Sequence, residues 1–170
     1  MRKPSTTGPD DGRRCLSDRC RSLLAAVTAM VSAASTTVVL SAPALADVTE
    51  SLRSAVVQER AASSCGPLTA NPLVEQAAYT MNKSTNDYLD HVATNAPITD
   101  PLPGLKILGY PGNKAIALQS GTHTQETAIK ALILQGFDKI PDCSFTDFGL
   151  DVQRNGTSGY ELMVVVLAGA

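Results

Sequence analysis

Apolar side chains beyond residue 47 recur first at helical spacing and later in strand-like runs, and that order sets the expected fold. Val48, Leu52, Ala55 and Val56 recur at helical spacing, with Glu50, Arg53, Glu59 and Arg60 assigned to other faces, which predicts a helix over 48–62. The Cys65-Gly66-Pro67 turn ends it. Asn71 then serves as an N-cap, with Pro72 at the first helical position, where a missing N–H costs nothing. The stripe of Val74, Ala78, Met81, Thr85, Tyr88 and Leu89, backed by Leu73 and Ala77, carries this second helix to about His91. Residues 94–112 contain Pro97, Pro101, Pro103 and Pro111 and read as an irregular excursion, with room for one helical turn around Leu105 to Leu108.

Beyond the excursion the pattern predicts a strand over Ala115 to Gln119 and a third helix capped by Thr122 or Thr124. Ala128, Ile129, Leu132 and Ile133 form the buried face of that helix, which runs to about Gln135, and Gly136 stands where a C-terminal cap belongs. Phe145 to Gln153 and Tyr160 to Leu167 are strands of a hairpin whose turn is Asn155-Gly156-Thr157-Ser158-Gly159. Val164, Val165 and Val166 are continuously apolar, as in a central strand covered on both faces. Helices early, strands late and one helix between them define an α+β layered domain.

The segment before residue 47 has a different character. Arg2, Lys3, Arg13, Arg14, Arg19 and Arg21 precede an apolar run from Leu23 to Leu40, and Ala44-Leu45-Ala46 follows with the small-x-small pattern of a cleavage site. This predicts a signal peptide over 1–46, cleaved near Ala46, and a secreted or cell-envelope protein of 124 residues without a membrane span. An uncleaved anchor is the alternative, but the run falls short of the roughly 20 apolar residues a span needs and is diluted by Ser32, Ser35, Thr36 and Thr37. Arg13-Arg14 leaves both the twin-arginine and the general export route open.

Removing the leader alters the charge. Six of the 14 Lys+Arg and three of the 16 Asp+Glu lie within it, leaving 8 basic against 13 acidic side chains and a formal net charge of −5. That balance argues against nucleic acid and against anionic membrane surfaces as partners. Cys65 and Cys143 are left as a lone pair, for which a disulfide is the default in an oxidising compartment. Such a bridge closes a loop of roughly 77 residues and would stabilise the fold by about 4 kcal/mol in the chain-entropy account. Metal ligation by the pair is the alternative, for which no Cys or His neighbour lies at finger-like spacing.

Several segments, in order, resemble bacterial CAP domains, the superfamily of cysteine-rich secretory, antigen five and pathogenesis-related proteins. They are Val57-Gln58-Glu59-Arg60-Ala61-Ala62, Gly66-Pro67-Leu68, Asn71-Pro72-Leu73 with Ala77-Ala78, Leu89-Asp90-His91, Gly109-Tyr110 and Phe145-Thr146-Asp147-Phe148-Gly149-Leu150. The resemblance covers nearly the whole of 47–170 and implies an α–β–α sandwich with a small, mainly antiparallel sheet. The family's cleft usually gathers two histidines and two glutamates able to bind a divalent metal. Here His91 falls at the first histidine, Lys114 takes a glutamate's place, Phe137 takes the second histidine's place, and no residue clearly replaces the second glutamate.

The resemblance therefore assigns His91, Lys114 and Phe137 to the cleft as ligand-binding positions, without a metal, a cofactor or a catalytic residue. A cation site needs three or four converging ligands, and 47–170 holds only His91 and His123 as imidazoles. Gly-x-Ser-x-Gly is absent, and no Gly-rich phosphate loop calls for a nucleotide. Asn82-Lys83-Ser84 and Asn155-Gly156-Thr157 match the glycosylation pattern, with a structural role preferred at both. Two functions from different classes are expected to compete. The first is a non-catalytic exported domain binding a lipid or other small apolar ligand, or a protein or cell-envelope partner, with 94–112 as the contact surface. The second is a hydrolase with a rearranged site of His91, His123 and a nearby acid.

Overall fold

In the computed structural model the described residues are 45–170. The expected leader lies outside them, apart from Leu45 and Ala46, which open the first helix. That helix, α1, spans Leu45–Ala61 and buries Val48, Leu52, Val56 and Arg60. These four form one i, i+4 series, so Arg60 lies on the inner face and not on the outer one to which its charge assigned it. A strand of two residues, β1 (Thr69–Ala70), leads into α2 (Pro72–Leu89). Asn71 caps α2 by accepting the Leu73 N–H at 3.0 Å, and Pro occupies the first helical position. The helix stops with its stripe at Leu89, two residues before the expected His91, because His91 takes a left-handed φ of 57° that no helix continues through.

The excursion contains α3 (Leu102–Ile107), anchored by the fully buried Leu105 and beginning three residues earlier than expected. It leads through Gly109, whose φ of 85° suits only glycine well, to the buried Tyr110. β2 (Lys114–Thr122) is followed by α4 (Gln125–Gln135), capped by Thr124. Gly136 ends α4 with an ordinary φ of −87°, so what its missing side chain provides there is room for Ile140 and Leu118. A Cβ there would lie 2.7 Å from both Ile140 and Leu118 side-chain atoms. β3 (Asp147–Arg154) and β4 (Glu161–Gly169) complete the hairpin.

The sheet order is β1-β3-β4-β2, with β1 parallel to β3 and the remaining pairs antiparallel. β4 is central, and all nine of its residues are buried, which accounts for the unbroken valine run. On one face, Met163, Val165 and Leu167 pack with Leu52 and Val56 of α1 and Leu132 of α4. On the other, Val164, Val166 and Ala168 meet Val74, Ala78 and Met81 of α2 and Leu105 of α3. The result is an α–β–α sandwich. Close approach of α2 depends on Gly149 of β3, where a Cβ would stand 2.2 Å from the Glu75 nitrogen.

Candidate functional site

The expected cleft residues stand in different parts of this framework. His91 is exposed in the turn after α2, and its neighbour Asp90 bonds Asn155, just beyond the end of β3. Lys114 opens β2 opposite Gly169, at the far end of β4 from Glu161. At about 3.3 Å per residue, the nine-residue strand puts these two ends roughly 25 Å apart. Phe137 follows α4, is 72% exposed and belongs to the layer opposite α2.

Lys114 is held by its surroundings. Its ammonium meets Asp142 Oδ2 at 2.8 Å, donates to Ser144 Oγ, and sits 4.3 Å from the centroid of the Phe145 ring. The Lys114 hydrogen bond, and next the Ser144 hydroxyl, hold the Asp142 carboxyl well below the usual carboxylate range. The Ser144 hydroxyl in turn donates to Asp142 Oδ1 at 2.7 Å, which closes the cluster on itself.

Among the described residues, neither the His91 nor the His123 side chain is hydrogen-bonded to an acidic group. His123 stacks on Tyr160, with ring centroids 4.3 Å apart. Among the described residues, no three His, Cys, Asp or Glu side chains gather closely enough to hold a metal ion. Both candidate glycosylation asparagines are buried and engaged. Asn82 donates to Asp151 Oδ2 at 2.8 Å and to the Leu162 carbonyl at 3.0 Å. Asn155 donates to Asn86 Oδ1 and Asp90 Oδ1, each at 2.9 Å, and accepts from the Ser158 N–H and hydroxyl.

Cys65 and Cys143 form a disulfide. Beside it the Arg60 guanidinium, 3% exposed, donates to four carbonyls: Gly66 at 2.7 Å, Ile140 at 2.8 Å, Asp142 at 2.9 Å and Phe145 at 2.8 Å. Bridge and guanidinium together fasten the irregular stretch 136–146 to the end of α1.

The opposite face is open. Between α2 and α3 lies a cavity of about 600 Å³, walled by Ala77, Thr80 and Met81 of α2 and by Ile107 and Leu108. Its third side is the segment Ile98–Pro101, strapped across by hydrogen bonds on both sides of one residue. The Ile98 N–H donates to Ser84 Oγ and its carbonyl accepts from Gln119 Nε2, both at 3.1 Å. Ile107, 87% exposed, turns an apolar side chain to solvent at this cavity. The excursion was legible in the sequence as irregular, but the cavity beneath it was not, because its floor is formed by α2.

With this geometry in place, comparison with known proteins identifies the fold. No protein-family profile and no curated sequence matches the chain. Among solved structures it is similar to an outer surface protein from Borrelia burgdorferi, with a TM-score of 0.60 and 12% identity over 75% of this chain and 96% of that one. It is also similar to a cysteine-rich secretory protein from Staphylococcus aureus, with a TM-score of 0.54 and 12% identity over 76% of this chain. In that case the similarity spans only 41% of the other protein. The fold is therefore CAP-like. Among the described residues, no helix is long and apolar enough to cross a membrane.

Proposed function

We propose that this chain is an exported, non-catalytic binding domain that holds a small apolar ligand in the α2–α3 cavity. The cavity itself carries the reading: at about 600 Å³ it falls in the size range of small-molecule sites, and its walls are predominantly apolar. Export is supported by the basic and apolar leader pattern, by the disulfide, and by the outer-surface and secretory proteins that share the fold. His91, Lys114 and Phe137 lie outside the cavity, so the family's cleft positions are not the ones this reading uses.

Titration with Nile red tests it. The mature protein should give saturable, blue-shifted emission, and Thr80→Trp, which fills the cavity from an exposed position, should weaken binding at least about tenfold. Absence of saturable binding, or an unchanged affinity in Thr80→Trp, would refute the proposal. Mass spectrometry of protein from culture medium should show an N-terminus near Asp47; a chain starting at Met1 would remove the export claim.

A further inference from the structure

The α2–α3 cavity has one ionisable side chain in its lining, Asp100. Its Oδ1 accepts the Leu102 N–H at 3.0 Å, so a donor at the start of α3 that could meet an incoming anion is already occupied by the protein's own carboxylate. Asp100 is exposed, and its second oxygen has no hydrogen-bond partner among the described residues. The lysines of the neighbouring elements are engaged elsewhere and line no part of the cavity. Lys83 of α2 pairs with Asp87, and the Lys106 ammonium donates to the Pro111 carbonyl at 3.3 Å. The Thr80 hydroxyl donates to the Gln76 carbonyl, so beside the neutral Thr99 hydroxyl the one charged group a ligand's polar end meets in the lining is the Asp100 carboxylate.

We infer that the cavity selects an amphiphile with a single apolar tail and a cationic head, the tail lying against Met81 and Leu108 and the positive charge facing Asp100. This rests on the reading of the cavity as a small-ligand site and assigns the ligand's polar end. An exposed charge pair changes affinity only a few-fold in either direction, so the preference of a cationic over an anionic head should be about tenfold. The same exposure makes the preference sensitive to salt, shrinking as the screening length falls below ~8 Å.

Three probes with the same tail, a dodecyl chain short enough for a cavity of this size, separate tail binding from head selection: dodecyltrimethylammonium, dodecanol and dodecanoate. Each is used below its micelle concentration to displace Nile red from the mature protein. The ammonium should bind about tenfold more tightly than the carboxylate, with the alcohol between them. Asp100→Asn keeps an oxygen for the Leu102 N–H and should bring the three probes to within about twofold, and Asp100→Lys should reverse their order. Dodecanoate binding as tightly as the ammonium, or an undiminished gap in Asp100→Asn, would overturn the head-group assignment alone. If none of the three displaces the dye, the small-ligand reading falls, and this inference with it.

Discussion

On the α1–α4 side of the sheet, large side chains such as Leu52, Leu132, Ile140 and Phe145 fill the core of the layer, and a disulfide and a buried guanidinium fasten what the helices leave irregular. On the α2–α3 side, Ala77, Ala78, Ala115, Ala117 and Ala168 intersperse Val74, Met81, Leu105 and the strand valines, and the cover is a six-residue helix. Both faces use the same strands. Small residues let α2 come close to the sheet, while the Pro-rich excursion cannot form a full second helix, so space remains between α2 and α3. The staples lie on the side where the chain must be held in one conformation, and the cavity lies on the side where the cover is a strapped loop.

Arg60→Ala should break this contrast most severely. It removes the donor from four carbonyls, of which the bonds to Ile140 and Phe145 are buried, and the loss should be about 3 kcal/mol, read from urea unfolding. A loss under ~1 kcal/mol would show that the closed face does not depend on the guanidinium. Replacing Cys65 and Cys143 with Ala should cost roughly 2–4 kcal/mol by the same measurement while leaving Nile red binding intact, since the bridge and cavity lie on different faces. Loss of dye binding in that variant would join the two faces that the account keeps apart.

Gly149→Ala sharpens the comparison from the open side, because α2 is tight against β3 although α3 is not. The added Cβ meets backbone atoms of Val74 and Glu75, and about 2–3 kcal/mol should be lost. The smallest effect concerns acid. Asp142 has a folded pKa depressed below its unfolded value of about 3.9, chiefly by Lys114, so its contribution is complete above about pH 4 and fades as pH falls toward the folded value. Asp142→Asn should remove that part of the acid sensitivity, seen as a shallower decline of melting temperature below about pH 4. An unchanged slope would mean the Lys114 pair contributes nothing to folding.

The fold was legible because its signals are local. The cap at Asn71, the proline at the start of α2, the Asn155–Gly159 turn and the valine run each act within a few residues, and each lies where the pattern placed it. β1 was missed because two residues carry no period. Arg60 was misplaced because its charge outweighed its position, although the spacing of Val48, Leu52, Val56 and Arg60 marked the inner face. Its carbonyl partners in 140–145 lie some 80 residues away, a distance no window spans. The cavity was hidden for a similar reason, since Ala77 and Thr80 become its wall only when Ile98 is strapped between Ser84 and Gln119.

Hydrogen exchange of the mature protein, with and without dodecyltrimethylammonium, tests the central claim most directly, because one measurement reads both faces. Added protection should appear in α2 over 77–84 and in 98–108, while 136–146 stays unchanged. Protection that appears at 136–146 instead, or at neither segment, would contradict the assignment of the α2–α3 cavity as the binding site.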